Sequence, residues 1–390
     1  MFVTGIGCVT PFGTGTAAFS RGLQGGETTL KPVQGFNVEG LRCTTAAEVP
    51  DGGLAQTPFD LQLERCLAMA HFAAGEAMES ARLDSKAVDM MCIGSAAGEI
   101  RAFEELPRGA TMPAFRALTA FSGRLAESLR CTPESHMFAD ACIAGLQGLG
   151  TAFDAIRVGR MSCALVGGVD TISRAALSGF DALHALSPDL CRPFDRSRSG
   201  TQLGEAAGFL VLEEERHSLE RGANPLCEVL GYGLSTDAHH PTRPDPSGAG
   251  AESAMRRAIQ DAGISADDID LVSAHGTGTL HNDDVELRAV SAVLGERARS
   301  VPIFSTKGQI GHTTGASGVV DVIAGLLAMQ ERFIPGIVTM KEPIEGFESF
   351  DLVSAPRFES DVCCLMKNAF GFGGMNCVVV VGKTGFSSVL

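Results

Sequence analysis

The sequence predicts an α/β protein made of two similar halves, and three observations carry that expectation. Residues 81–95 (ARLDSKAVDMMCIGS) resemble residues 262–276 (AGISADDIDLVSAHG). Each block runs from a helix end through a polar turn into a short apolar run, MMCIG or LVSAH, of the kind that forms a buried strand. The flanking blocks keep the same order: VTGIGCVTPFG (3–13) has a counterpart in CEVLGYGLSTD (227–237), and SHMFADACIAGLQGL (135–149) lines up with VPIFSTKGQIGHTTG (301–315). A length of 390 residues is also long for one ordinary domain.

Taken in order, each half opens on a strand entering a Gly-rich turn. An Ala-rich amphipathic helix follows, about 67–81 in one half and 252–262 in the other, then the buried strand of the repeated block. A second strand runs into a polar turn and a helix of small residues, and a last strand, Cys377–Val381, closes the chain. Residues 96–134 lack a counterpart of equal length and read as an insertion, suited to a cap or a dimer contact. The halves are therefore placed at 1–213 and 214–390.

Composition narrows the function. A net charge of −15 argues against nucleic acid and against anionic membranes, since both need clustered Lys and Arg. The N-terminus has no basic, apolar and cleavable leader, and no apolar run reaches the roughly 18 residues of a membrane span. A cytoplasmic protein is expected. The 12 cysteines have no metal-ligand spacing, so most read as small buried hydrophobes, and a particular one needs its surroundings to argue for chemistry.

Four segments could carry chemistry. Cys142 lies between a predicted strand, His136–Phe138, and a run of small and apolar residues, at the start of a helix. Backbone N–H groups and the helix dipole there favour a thiolate, while Asp140 two residues earlier opposes it. Taken alone, the segment suits a buried packing cysteine equally well. His275 follows the strand Asp270–Val272, at the carboxyl end where α/β proteins bind ligands, and the turn Gly276-Thr277-Gly278-Thr279 allows close approach and hydrogen bonding. Ser305-Thr306-Lys307-Gly308-Gln309-Ile310-Gly311-His312 lacks the phosphate-loop order, which disfavours nucleotide binding. His312 is expected to open a helix, where the neutral imidazole is favoured, with Lys307 able to pair with a carboxylate such as Glu286. Finally, Asn368-Ala369-Phe370-Gly371-Phe372-Gly373-Gly374 suggests a turn with exposed backbone N–H groups, suited to an oxyanion hole or a gate.

Together these blocks resemble the β-ketoacyl-acyl carrier protein synthases of the thiolase superfamily, and most closely the elongating enzymes with a Cys-His-His triad. CALVGGVD (163–170), RPFDRSRSG…LGEAAGFLVLE (192–213) and STDAHHPTRPDPSGAG (235–250) extend the resemblance almost end to end. It implies the thiolase-like duplicated αβαβα five-layered fold, a homodimer or a heterodimer with a related subunit, and no metal or cofactor. It implies acyl and malonyl thioesters on acyl carrier protein as substrates. By position Cys142 matches the acylated nucleophile, His275 and His312 the two histidines, and Lys307 with Glu286 the supporting ion pair. Phe372 matches the gate residue whose N–H, with that of Cys142, forms the oxyanion hole, flanked by Phe370, Gly371 and Gly373; Thr277, Thr279 and Thr201 fall where substrate is held.

Several positions depart from the family pattern. Asp140 stands for a small hydroxyl residue, Thr201 for a bulky Phe and Met375 for Thr, which leaves the acyl chain and the pathway (fatty acid, polyketide or aryl polyene) open. An acidic carrier calls for a basic patch, for which Arg65, Arg192, Arg196, Arg198 and Arg243 are the candidates. Two rival readings are a non-catalytic chain-length subunit, which would lose the nucleophilic Cys, and a thiolase, which would use a second Cys near Cys377.

Overall fold

The computed structural model describes residues 1–104 and 118–386. Of the 96–134 segment, residues 105–117 therefore lie outside the described residues. The elements that build the layers begin with β1 (Phe2–Thr10), α1 (Arg65–Ser80), β2 (Met90–Gly94), β3 (Glu134–Phe138), α2 (Ala144–Arg157), β4 (Cys163–Asp170), α3 (Arg174–Ala182) and β5 (Ala206–Glu213). There follow β6 (Cys227–Thr236), α4 (Ala249–Ala262), β7 (Leu271–Ser273), α5 (Asn282–Leu294) and β8 (Ile303–Phe304). The chain ends with α6 (Lys307–Ile310), α7 (Ser317–Glu331), β9 (Cys364–Gly371) and β10 (Met375–Gly382).

The strand order is β8-β7-β9-β10-β6-β1-β5-β4-β2-β3. Read outward from the β6–β1 junction, the two wings have one topology: β1-β5-β4-β2-β3 on one side, β6-β10-β9-β7-β8 on the other. In each wing the two inner pairings are antiparallel and the two outer ones parallel. Matching details repeat. Asp89, before β2, accepts hydrogen bonds from the N–H groups of Ser162 and Cys163, and Asp270, before β7, accepts them from Cys363 and Cys364. A Cβ on Gly7 would meet the Ala73 carbonyl of α1 at 2.2 Å, and one on Gly233 would meet the Ala254 carbonyl of α4 at 2.2 Å. Each wing thus needs a glycine where its outer helix presses on the sheet.

Helix α1 covers β1, β5 and β4 on one outer face, while α4 and α5 cover the other wing. Helices α2 and α7 pack on each other, and each touches strands of both wings. The order is helix, sheet, helix, sheet, helix, with one hydrophobic cluster around the central pair and one beneath each outer helix layer. Strand residues alternate between these clusters as the period of two requires: Leu165 faces outward and Val166 inward. Among the described residues no helix is long and apolar enough to cross a membrane.

Candidate active site

The carboxyl ends of β2, β3, β7, β8 and β9 deliver the site to the level of the central helices. After β3 the chain turns sharply, with Ala141 at φ 48° in the left-handed region, a conformation that costs a non-glycine residue about 1–2 kcal/mol. The turn aims Cys142, 6% exposed, into a cavity before α2 begins. Helix α2 can sit this deep because Gly94 and Gly145 meet backbone to backbone; a Cβ on Gly94 would lie 2.2 Å from the Gly145 nitrogen.

His312 Nε2 lies 3.0 Å from Cys142 Sγ. Its backbone is fixed by bonds to Gln202 O and from Gly204 N, so β-type pairing rather than a helix terminus orients it. This differs from the expectation that His312 opens a helix. Helical structure begins two residues later, with a 3-10 turn at Thr314–Ala316 that leads into α7 at Ser317, and positive-φ Gly311 keeps His312 outside it. His275 stacks edge-on to His312 with ring centroids 5.4 Å apart, and edge-on to Phe370 at 5.7 Å. Glu286 on α5 accepts the N–H groups of His275 and Gly276 at 2.7 and 2.8 Å, which locks the turn behind the strand.

Lys307 does not pair with Glu286. Its Nζ is 3.5 Å from Asp321 on α7, whose carboxylate also takes Lys367 Nζ at 2.7 Å and the Thr306 hydroxyl at 2.5 Å. Asp321 wins because α7 places it one turn inside the helix, beside the short α6 that carries Lys307. Glu286 is occupied by the His275 turn and by the Asn368 amide. The lysines hold the Asp321 carboxyl down to about 2 against the effect of burial.

Burial pushes the Cys142 thiol up to about 12, against the pull of Lys307 and of the Phe372 and Cys142 N–H groups. The resting thiolate expected from the helix start is thus outweighed by desolvation. The carboxylate that adds to the rise is Asp170, at the end of β4. Its oxygens are taken by Ser95, Ala96, Ala97, Thr314 and Gly315. Burial, with Lys307 next, lowers both histidines far below their ordinary value, so both are neutral imidazoles at pH 7.

The Phe372–Gly374 turn closes the β9–β10 hairpin over Cys142. Gly373, at φ 92°, donates its N–H to Pro241 O, and Gly371 packs beside Ile143. The Phe372 ring stacks on Phe180 of α3 at 5.5 Å. On one side of this pair lies the cavity of about 280 Å³ that Cys142 enters, lined also by Thr201, Thr277 and Thr279. On the other is a second, mainly apolar chamber of about 320 Å³, lined by Ile100, Ile172, Ala176 and Leu203. Cys377 is fully buried within the hairpin and lines neither space.

Of the arginines expected to meet an acidic partner, Arg65 and Arg198 are buried and committed inside the fold. Arg65 pairs with Glu205 and Asp51, and Arg198 with Asp284 and the Thr279 and Leu280 carbonyls. Arg192 pairs with Asp189 and Arg196 with Glu348. Arg243 is exposed and lines the mouth of the cavity that Cys142 enters. Sequence reasoning missed Asp321 and Lys367. Asp321 carries a readable signal, an acid within the apolar run 318–329, whereas Lys367 looks like a strand-edge charge.

Two sequence patterns match the chain: the β-ketoacyl synthase N-terminal domain over residues 1–218 and the β-ketoacyl synthase C-terminal domain over residues 226–341. Nodulation protein E of Rhizobium meliloti (strain 1021) is 34% identical, with 97% of each chain covered. The 3-oxoacyl-[acyl-carrier-protein] synthase 2 of the same organism is 32% identical, with 98% of each covered. Among solved structures, the ishigamide ketosynthase/chain length factor superposes with a TM-score of 0.92 at 34% identity, covering 98% of this chain and 99% of that one. With both halves matched and the relatives aligned end to end, the chain belongs to the β-ketoacyl synthase family.

Proposed function

We propose that the chain catalyses decarboxylative Claisen condensation, joining an acyl group held on Cys142 to a malonyl-type extender on acyl carrier protein to give a 3-oxoacyl-acyl carrier protein. The observation that carries the reading is the meeting of Cys142 Sγ and His312 Nε2 at 3.0 Å, with His275 in the same cavity. In the first step His312 takes the thiol proton as sulfur attacks the incoming thioester. The Phe372 and Cys142 N–H groups, whose pull on the thiol puts them beside the sulfur, receive the developing oxyanion, and the carrier thiol leaves with a proton.

The extender then loses carbon dioxide, and the C–C bond pair becomes an enolate. Neutral His275 and His312 donate hydrogen bonds to its oxygen, which an imidazole without a spare charge does without paying to bury an ion. The enolate carbon attacks the Cys142 thioester; a C–C bond forms and the cysteine sulfur leaves. Thr277 and Thr279, whose hydroxyls are 2.9 Å apart at the cavity wall, hold the extender arm, and Thr201 shapes the acyl side. Lys307 keeps the histidines neutral from its seat on Asp321.

The names of the relatives support fatty acid or polyketide assembly on acyl carrier protein, and a pairing with a second copy or a related subunit; the cytoplasm is the compartment that goes with this reading. The mirrored strand order supports two copies of one unit, 1–213 and 214–390. The test is intact-mass analysis with a panel of acyl-carrier thioesters. A mass gain lost in Cys142→Ala is expected; gain at another residue, or none with any acyl group, overturns the assignment.

A further inference from the structure

We propose that Lys367, which the mechanism above leaves unused, is a positioning residue that fixes the backbone at His275 and sets the charge facing both histidines. This rests on the condensing reading. The internal repeat makes the residue conspicuous. Cys92 of β2 pairs with Val166 of β4, and the corresponding pair in the other wing is Ser273 of β7 with Lys367 of β9. Val166 is fully buried in the central cluster, so this register position is one where the fold packs an apolar side chain. Lys367 is equally buried. An ammonium there is tolerated only if fully partnered.

Its partners explain why it is there. Nζ donates to the carbonyl of Ala274 at 3.0 Å and to Asp321 at 2.7 Å. Ala274 is the residue before His275, so the bond holds the peptide from which that imidazole departs. The charged groups around Nζ are Asp321 on α7, Lys307 on α6 and Glu286 on α5, with His275 and His312 facing them. Two ammonium groups share the one Asp321 carboxylate. Burial pulls Lys367 down to about 8 while Asp321 holds it up, so it is charged at neutral pH. That charge disfavours an imidazolium on either histidine and keeps an N–H donor ready for the enolate.

The experiment compares Lys367→Met, which removes donor and charge, with Lys367→Gln, which keeps a donor for the Ala274 carbonyl. Malonyl-carrier decarboxylation and Cys142 acylation are both measured against pH. The ratio of decarboxylation to acylation is expected to fall roughly 10–100-fold in the Met variant, the range for groups that orient a reacting residue through a neighbour. The Gln variant recovers part of the rate. In both, the acid limb of decarboxylation moves to higher pH, because histidines relieved of a positive neighbour protonate more readily. A merely structural lysine would not move that limb. If the Met variant fails to fold, the Gln variant carries the pH test. A wild-type acid limb and rate ratio in a folded variant overturn the inference alone; a wild-type protein that never decarboxylates malonyl-carrier overturns the condensing reading with it.

Discussion

The two wings share a strand order, a set of connections and even an aspartate that accepts the N–H groups at the start of the middle strand, yet they fill equivalent positions with different chemistry. Where the first wing has Gly94 and Val166, the second, by the same strand register, has His275 and Lys367. Where the first turns into its central helix with Ala141-Cys142, the second does so with Lys307-Gly308. The first wing contributes a thiol and a close-packed helix to hold it; the second contributes the histidines, kept neutral by burial and then by the buried charges beside them. Two matching sets of strand ends converge on one cavity, and under the proposed reaction one is the nucleophile side and the other the electrostatic side.

The largest effect should come from deleting one side at a time. Cys142→Ala is expected to lower condensation by at least about 1000-fold while malonyl-carrier decarboxylation persists. His275→Ala should do the reverse, slowing decarboxylation by about 100–1000-fold while Cys142 still accepts an acyl group. Mass spectrometry for acylation and carbon dioxide release for decarboxylation separate the two. A Cys142→Ala protein that condenses at the wild-type rate, or a His275→Ala protein that decarboxylates normally, breaks the division of labour.

Much of this division is legible in the sequence. Periodicity and the repeated blocks give both wings, and strand-then-turn context gives Cys142 and His275, because local chain direction is what such patterns report. Partner choice is not local. Lys307 could reach Glu286 or Asp321 as far as sequence tells, and only the docking of α6 against α7 decides for Asp321. Arg65 shows the same limit: it reads as a surface charge, but α1 turns it inward onto Glu205, where it is 7% exposed. The protonation of Cys142 shows it too, since a helix start favours the thiolate but burial, a property of the assembled layers, raises the thiol.

Making the wings alike should cost stability. Val166→Lys would copy Lys367 into a position with no Asp321 opposite, and an uncompensated buried charge is expected to destabilise by about 3–5 kcal/mol. Gly94→Ala would push a Cβ against the Gly145 backbone and should cost about 1–3 kcal/mol, the range for overpacking without a buried charge. Denaturant midpoints measure both, and a Val166→Lys midpoint equal to wild type would mean that the two register positions are not held to the same packing rule.

The second wing also predicts an acid sensitivity centred on its two buried histidines. His275 and His312 are depressed in the folded protein, so the unfolded chain binds more protons as pH falls below about 6.5. Their contribution is present above that value and lost beneath it, by up to about 1.4 kcal/mol per pH unit for each histidine. Asp283, raised to about 6 by burial, acts oppositely, because the folded state gains its proton first. His275→Asn with His312→Asn should flatten the loss of stability between pH 6.5 and 5; an unchanged slope would assign it to other groups.

The smallest expected effect concerns docking, and here too the arginines divide. Arg65 is locked under α1, so replacing it should unfold the protein rather than weaken partner binding. Arg243 stands exposed at the cavity mouth, in the loop after β6, where a rim charge acts mainly on encounter. Arg243→Ala should raise KM for acyl-carrier substrates by about three- to tenfold with kcat nearly unchanged, and the difference should shrink as salt screens the attraction over a Debye length of about 8–10 Å. A short acyl-pantetheine thioester without the carrier protein should not distinguish the variant from wild type. If it does, Arg243 touches the arm inside the cavity, and the electrostatic side of the site extends outward to its rim.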